Sequence, residues 1–218
     1  MNNIEEICRK YDIENYTIND DGTIDVDGDV ILAELDLKEL PLNFNRVEGE
    51  FDCSYNFLTS LKGCPKYVGY KFACSYNELT TLEYSPEIVE DSFVCANNDL
   101  TTLVGGPKEV GGFFCYNNKN LTSLKGNPIK VLRNHNCDNC GIRDLYGISD
   151  NIGQYFFCEK NPISSIIGDI VDMDFVRAFN SYRVIKDGKV QLKRLKYVME
   201  TFNMEYDLDK IKEHYEIN

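Results

Sequence analysis

Aliphatic residues recur along this chain at a constant interval. Steps of 21 from Leu61 reach a leucine or an isoleucine every time, and a second column, three residues earlier in each unit, behaves in the same way. The two columns are Leu40, Leu61, Leu82, Leu103, Leu124, Leu145 and Ile166, and Leu37, Leu58, Leu79, Leu100, Leu121, Ile142 and Ile163. A unit this short cannot bury an apolar face alone, so its apolar positions must stack on those of the next unit. The pattern therefore predicts a solenoid of about seven units over residues 31–170.

A third column, made mostly of cysteine, lies two residues after a column of phenylalanine. The first is Leu32, Cys53, Cys74, Cys95, Cys115, Cys137 and Cys158, and the second is Phe51, Phe72, Phe93 and Phe156, with His135 in that place once. This alternation predicts short strands that pair in parallel, with Phe and Cys facing the core. The spacing is 20 before Cys115 and 22 after it, so we expect a bulge near residues 116–120. A second irregularity is expected at Arg143 and Asp144.

Two further residue types mark the bends of each unit. Asparagine recurs three residues after the column cysteine, where its side chain can bond the backbone of adjacent turns. Proline then recurs on the return side, where it favours extended backbone. The positions are Asn56, Asn77, Asn98 and Asn161, and Pro65, Pro86, Pro107 and Pro128.

Residues 1–30 do not follow the period. Ile4, Cys8 and Tyr11 would share one face of a short helix, and alternating residues on both sides of Asp20-Asp21-Gly22 predict a β-hairpin. A terminal repeat would otherwise leave an open sheet edge and a bare core. This segment is therefore predicted to cap the first unit.

The period also stops after Ile166, and residues 171–218 show a helical pattern. We predict a helix that begins at Asp172 or Asp174, a hairpin around residues 186–189, an amphipathic helix over 192–202 and a short last helix near 208–215. This segment is predicted to be a C-terminal α/β cap.

The repeat F-x-C-S-x-N-x-L-T-S-L-x-G-x-P-x-x-V resembles the leucine-rich repeat in its short form, with proline and no helix on the convex side. The phrases G-C-P-K-Y-V-G and F-A-C-S-Y-N-E-L-T-T-L, with the lead-in Y-T-I-N-D-D-G-T-I-D-V-D-G-D-V, are similar to small repeat proteins encoded by large tailed bacteriophages. The resemblance covers about residues 16–170. It implies an α+β repeat protein with a parallel β-sheet on the concave side, and a host protein as partner.

The charge of the chain narrows the function classes. The formal net charge is −13, which argues against a partner such as nucleic acid or an anionic membrane, because both require a basic surface. We expect neither direct nucleic-acid binding nor membrane association. No apolar run approaches membrane-spanning length and no secretory signal pattern opens the chain, so the sequence predicts a cytoplasmic protein, in the host cytoplasm if it is phage-encoded.

Two motifs suggest metals, and their position in the repeat argues against both. Cys137 and Cys140 form a CxxC, but Cys137 belongs to the core column and Cys140 replaces the repeated asparagine. The segment from Asp25 to Asp29 imitates a calcium loop, but Val30 stands where the loop needs glycine. Six of the nine cysteines lie in the core column, so we expect thiols without disulfides. No metal and no cofactor are predicted.

Catalysis has little support in the sequence. His135 and His214 are the only histidines, and His135 takes a core position. No phosphate-binding glycine loop, no HExxH and no serine triad pattern is present. The polar candidates in the C-terminal segment are Asp172, Asp174, Arg177 and His214, and an enzyme there is the least favoured of three interpretations.

The outward positions of the predicted strands form a regular array, in which aromatic residues with small neighbours suit protein recognition. This candidate face comprises Asp52, Ser54, Tyr55, Ala73, Tyr76, Val94, Asn97, Asn136, Asp138, Phe157 and Glu159. The favoured function is a non-catalytic module that binds, and thereby inhibits, a host protein such as a defence component. A surface that merely carries strand-forming residues is the plain alternative.

An acidic nucleic-acid mimic is the second interpretation. Residues 1–50 contain 14 acidic and four basic side chains, a balance of −10. In this interpretation the N-terminal segment occupies a nucleic-acid-binding surface of its target. The candidate acidic patch is Asp20, Asp21, Asp25, Asp27 and Asp29.

Overall fold

The computed structural model describes residues 4–149, 151–168, 170–171 and 173–218, with side chains described throughout except at 170 and 171. The strands, in chain order, are β1 (Tyr16–Ile18), β2 (Ile24–Val26), β3 (Val30–Ile31), β4 (Phe44–Val47), β5 (Phe51–Asp52), β6 (Tyr67–Val68), β7 (Phe72–Ala73), β8 (Ile88–Val94), β9 (Glu109–Phe114), β10 (Lys130–Val131), β11 (His135–Asn136), β12 (Asn151–Ile152), β13 (Phe156–Phe157), β14 (Ile170–Val171), β15 (Ile185–Lys186), β16 (Lys189–Val190) and β17 (Glu216–Ile217). The helices are α1 (Ile4–Lys10), α2 (Ser164–Ile167), α3 (Met173–Ser181), α4 (Leu192–Thr201) and α5 (Leu208–Lys212).

The repeating pattern forms a parallel β-solenoid of about six turns. The predicted F-x-C strands pair in register, Phe51 with Phe72 and Phe72 with Phe93, and this row of strands is the front ladder. It consists of β3, β5, β7, the ends of β8 and β9, β11 and β13.

A second row of parallel strands, the rear ladder, follows the prolines. It consists of β2, β4, β6, the starts of β8 and β9, β10 and β12. The sequence predicts extended backbone there, but it does not predict that these segments pair as strands. Each turn of the solenoid therefore contributes two short strands, where the expectation was a single row on a concave side.

The irregular spacing around Cys115 has a local cause. Strands β8 and β9 each run through both ladders without a break. Val89 pairs with Val110, a full period later, but Phe93 pairs with Phe113, which falls one position short of a full period. The register shift lies between the pair Val89–Val110 and the pair Ser92–Gly112, so β9 is one residue short at this corner, in the same unit as the irregularity that the sequence predicts and a few residues before it. The short unit thus lacks one residue in the corner between the rear and front ladders, and the extra residue near Asn120 restores the 21-residue period.

The core is built from the repeated columns. Both aliphatic columns are buried from Leu58 onward, and the cysteine column is buried throughout. The aromatic rings stack turn upon turn, with centroid distances of 5.7 Å from Phe51 to Phe72, 5.0 Å from Phe72 to Phe93 and 5.6 Å from Phe93 to Phe113. Phe113 belongs to this column and is absent from the sequence-based assignment because of the shorter unit.

Buried asparagines bridge successive turns. In Asn77 the amide Nδ2 donates to the carbonyl of Cys53 in the preceding turn at 3.0 Å and to that of Cys74 in its own turn at 3.2 Å. Its Oδ1 accepts from the backbone N–H of Leu58 at 2.9 Å. The same pattern recurs at Asn56, Asn98, Asn118 and Asn161. This asparagine ladder satisfies backbone groups that the bend would otherwise leave unpaired.

Cys140 takes the place of asparagine in one turn. Its Sγ donates to the carbonyl of Cys115 at 3.3 Å, so the thiol makes one of the contacts of the amide. The neighbouring Cys137 thiol instead donates to the carbonyl of Phe157 at 3.4 Å. The two sulfurs of the CxxC motif thus have separate hydrogen-bond partners inside the solenoid.

The segments at both ends pack on the solenoid. At the N-terminal end β1 pairs antiparallel with β2, and Cys8 of α1 lies in the common core. At the C-terminal end β14 pairs antiparallel with β13, and α3 buries Phe175, Val176 and Phe179. The hairpin β15–β16 pairs with β17, a strand that the sequence does not predict. Asp172, one of the two predicted helix starts, lies outside the described residues.

His135 interrupts the phenylalanine stack. Its ring lies edge-on between Phe113, at 5.3 Å, and Phe156, at 5.1 Å, and it is fully buried. Neither ring nitrogen has a hydrogen-bond partner among the described residues. Burial lowers the pKa of His135 to about 3. The imidazole is therefore a neutral core residue, weakly basic and closed off from solvent, and it packs as the phenylalanines of this column do.

Replacement of Asn77 by alanine should destabilise the fold more than replacement of an exposed asparagine does. The substitution leaves the Leu58 N–H without its acceptor and removes one donor from each of two cysteine carbonyls. We expect a loss of about 2 kcal/mol or more in the free energy of unfolding. Urea unfolding followed by circular dichroism measures it, with the exposed Asn43→Ala as the control. Equal stability of the two variants would contradict a structural role for the ladder.

His135→Phe should raise stability and flatten its dependence on acid pH. The unfolded chain binds a proton at His135 near pH 6.5, whereas the folded chain does not until about pH 3. Stability therefore falls as the pH drops below about 6.5, by up to about 1.4 kcal/mol per pH unit from this group. The variant lacks this destabilising effect of His135, so its free energy of unfolding at pH 5 should be larger than that of the wild type. Unchanged pH dependence in urea titrations at pH 5 and pH 7 would contradict this account.

Candidate functional site

The front ladder places one side chain per turn on the outside, between the inward Phe and Cys positions. Asp52, Val94, Asn136 and Phe157 are half-buried there, as the alternation predicts. Ala73 belongs to the same row but is buried, with only 3% of it exposed, so it offers almost no contact surface to a partner. The row thus mixes polar, aliphatic and aromatic side chains, with Phe157 in its last turn.

Phe114 is a member of this row that the sequence analysis misses. It follows the buried Phe113 in β9 and is half-buried, and Tyr116 lies two residues further on the same side. The signal was available, because Phe113 stands two residues before Cys115, as the other column phenylalanines do. Phe114 and Tyr116 add two aromatic rings near the middle of the face.

A second outward row occupies the bend that follows each front strand. Its members have left-handed backbone, with φ of 55° at both Tyr55 and Tyr76. The row comprises Glu34, Tyr55, Tyr76, Asn97, Asn117, Asn139 and Lys160. Left-handed backbone strains any residue other than glycine and is least unfavourable for asparagine and aspartate. Tyrosine at two of these positions therefore needs a compensating interaction.

The two tyrosines supply that interaction to each other. Their rings are nearly parallel, with centroids 4.3 Å apart, although 51% of Tyr55 and 46% of Tyr76 is exposed. Partial desolvation, reinforced by the neighbouring Tyr76 and Glu34, raises the pKa of Tyr55 above its ordinary value. The pair forms an aromatic ridge on the surface, held by the contact between the two rings.

An amide ladder continues the ridge. Asn117 Nδ2 donates to Asn97 Oδ1 at 2.9 Å, and Asn139 Nδ2 donates to Asn117 Oδ1 at 2.7 Å. Asn97 Nδ2 is covered and has no hydrogen-bond partner in the described part of the chain. The amide ladder therefore ends, on the side of Tyr76, at an amide NH2 group that has no acceptor among the described residues.

Several predicted face residues are held by the backbone. Asp52 Oδ1 accepts from the N–H of Ser54 at 2.8 Å, and Ser54 is buried with its Oγ accepting from the N–H of Ser75. Asp138 Oδ1 accepts from the N–H of Glu159 at 2.6 Å. These side chains fix the turn geometry, which leaves the aromatic residues as the principal contact groups of the face.

The predicted acidic patch divides into two kinds of side chain. Asp25 Oδ1 accepts from Asn45 Nδ2 at 2.8 Å, and Asp29 Oδ1 accepts from the N–H of Glu50 at 2.7 Å. Hydrogen bonds from Thr23 lower the pKa of Asp21. Asp20 and Asp27 are exposed. Three carboxylates of the patch therefore shape the loops, and the other two face the solvent.

Of the C-terminal polar candidates that the structure describes, Asp174 and Arg177 lie together and His214 lies apart from them. Asp174 and Arg177 form an ion pair of 2.8 Å on the exposed side of α3, and His214 lies beyond α5. A cleft of ≈ 1030 Å³ between α3 and the last return loops is lined by Arg177 and Tyr146, and the lining includes neither Asp174 nor His214. Asp172 lies outside the described residues.

The thiols and carboxylates do not form a recognisable metal site. Within the described ranges no group of three or more His, Cys, Asp and Glu side chains could hold a metal ion. Burial raises the pKa of Cys74, Cys95 and Cys137 well above the ordinary value, so these thiols stay protonated. Thiolate is the form that ligates metals and attacks electrophiles. Their role is packing.

Comparison of the chain with family models, with curated proteins and with solved structures gives no significant match. Among the described residues no helix is both long and apolar enough to cross a lipid bilayer.

Proposed function

We propose that this protein is a non-catalytic binding module of the leucine-rich-repeat type that recognises another protein through the front ladder and its adjoining bend. The observation that carries the proposal is the exposed, stacked pair Tyr55 and Tyr76 on a rigid repeat. Aromatic side chains are enriched at the energetic centres of protein interfaces. The bend forces left-handed backbone at both positions, where asparagine would be less strained, so a role in recognition accounts for the use of tyrosine.

The rigidity of the face supports recognition of a folded partner. Each outward side chain is held by strands above and below it, and the amide ladder joins the bends of three turns. Little conformational entropy is therefore lost when a partner binds. The end segments act as caps in this proposal, because they cover the first and last turns of a repeat that would otherwise expose its core.

The partner in this proposal is a host protein, and binding occludes one of its surfaces. This part rests on the resemblance of the repeat to phage-encoded proteins. A second candidate function is acidic mimicry of nucleic acid by the N-terminal segment, which the balance of −10 over residues 1–50 favours.

Capture experiments should lose the partner when aromatic residues are removed from the face. We expect Tyr76→Ser combined with Phe157→Ser to weaken capture of a bacterial protein by about tenfold or more, since interface aromatics dominate binding energy. Tyr84→Ser combined with Tyr146→Ser is the matched control, because it removes two exposed tyrosines that lie outside the face. Pull-down from a host lysate, quantified by mass spectrometry, measures the change.

Salt distinguishes the two candidate functions in the same experiment. Capture through the aromatic face should change little between about 50 mM and about 500 mM salt, whereas mimicry should weaken steeply. Loss of capture in Asp20→Asn with Asp27→Asn, with no loss in the aromatic variant, would replace the first proposal by the second.

A further inference from the structure

The N-terminal end of the chain is acidic, and the C-terminal segment contains a locally basic stretch. Residues 1–50 have a balance of −10, whereas residues 183–196 contain six basic side chains and one acid. The rest of residues 170–218 offsets these bases, so the contrast is invisible in the net charge of −13. A strongly basic surface on so acidic a protein requires an explanation of its own.

The basic side chains cluster around the exposed face of α4. Leu195, Val198 and Met199 face the core, which leaves Lys193, Arg194 and Lys196 exposed on the other side. We call Arg183, Lys193, Arg194 and Lys196 the basic patch. Arg194 Nη1 donates to the carbonyl of Arg183 at 3.2 Å, which joins α4 to the end of α3.

Two exposed tyrosines complete this surface. The rings of Tyr182 and Tyr197 lie 4.9 Å apart, with 45% of Tyr182 and 52% of Tyr197 exposed. Tyrosine and arginine are among the residues that interface centres use most. Glu200 is the acid on the same exposed side of α4. The patch thus combines positive charge with apolar ring area, as a docking surface for an acidic protein does.

The opposite end of the same molecule has the complementary composition. Glu14, Asp20 and Asp27 are exposed there, and so are the aliphatic side chains of Ile18, at 42%, and Ile31, at 53%. Among the described strands, β3, which contains Ile31, pairs with β5 on one side only. Exposed carboxylates, exposed aliphatic side chains and a strand edge unpaired within the described chain thus occur together in residues 14–31.

The two ends cannot neutralise each other within one molecule. The first and last turns are separated by about six strand spacings, or about 29 Å. That distance is several times the Debye length of about 8 Å at physiological salt. Only a contact between two molecules brings the acidic end and the basic patch together.

We propose that this protein associates head to tail with further copies of itself, the basic patch of one copy docking on the acidic N-terminal end of the next. The contact joins two different surfaces, so it is heterologous and leaves an unused end on each new copy. It should extend into short chains of molecules, and it should be sensitive to salt because exposed charges drive it.

Charge reversal at both ends tests the proposal. At about 20 mM salt the average mass of the wild type should rise with concentration above the 25.1 kDa of one chain, and at about 300 mM it should return to that value. Arg183→Glu, Lys193→Glu and Lys196→Glu together should weaken association by about tenfold or more, and so should Glu14→Lys, Asp20→Lys and Asp27→Lys together. Arg194 is left unchanged because it bonds the backbone.

Mixing the two reversed variants gives the decisive measurement. In each variant alone the exposed docking residues of both ends have the same sign, but an equimolar mixture pairs docking residues of opposite sign and should recover association in sedimentation velocity. Lys62→Glu, Lys108→Glu and Lys119→Glu together change the net charge by the same amount on exposed solenoid loops and should associate no more weakly than the wild type. Circular dichroism checks that every variant is folded.

Three outcomes would overturn the proposal. The wild type could stay monomeric at low salt, the mixture could fail to recover association, or association could persist unchanged in the variant with the reversed basic patch. A fluorescent single-stranded oligonucleotide is included at low salt. If it binds the patch while the protein stays monomeric, the patch serves a nucleic acid and the second copy is the wrong occupant.

Discussion

The amide bridge between successive turns is the interaction on which the rest of this structure depends. At each bend the chain leaves a strand and buries backbone groups that have no ladder partner, and a buried unpaired group costs about 1–3 kcal/mol. An asparagine amide has two donors and an acceptor on a short side chain, which is enough to reach the carbonyls of two turns and one N–H. The carbonyls of Cys53, Cys74 and Cys95 each accept from two such amides, one from their own turn and one from the next, so these turns become mutually dependent. This geometry fixes the length of each turn and explains why the period survives a missing residue.

A fixed register has a consequence for the surface. Because every turn bends at the same place, the residue before each bridging asparagine is forced into left-handed backbone whatever its type. The chain uses asparagine there in the middle turns, where the amides form an external ladder, and tyrosine in two earlier turns, where ring stacking offsets the strain. The external rows are thus as rigid as the core that positions them. A surface of this kind is already ordered before it meets a partner, and preorganisation is what makes aromatic contacts effective.

The periodic pattern is enough to predict the solenoid, the inward Phe and Cys columns and the bridging role of asparagine, because each is repeated at a constant spacing. It does not predict the rear ladder, since strands such as β6 and β10 are very short and carry no alternation of their own. The places of Phe113 and Phe114 are not predicted, because the shortened unit moves both residues out of the expected column. Burial of Ala73 and Ser54 follows from the close approach of neighbouring turns, which depends on three-dimensional packing. The ring nitrogens of His135 lack hydrogen-bond partners within the described chain because of the residues packed around them, and no local sequence signal marks this.

In this repeat the backbone hydrogen bonds are made within and between neighbouring turns. Two independent kinds of surface remain, the outward rows along the length of the solenoid and its two ends. The rows follow the 21-residue period, so every turn adds similar geometry to them. The end segments do not follow the period, so their charges can differ. Contacts at the ends would stack molecules along the solenoid axis and leave the aromatic face of each copy exposed to the side. Several faces held in one line would bind a partner that has repeated sites with greater avidity than a single face, without any new contact. The opposite charges at the ends and the aromatic row between them are therefore compatible on one rigid body, because neither surface needs the residues of the other.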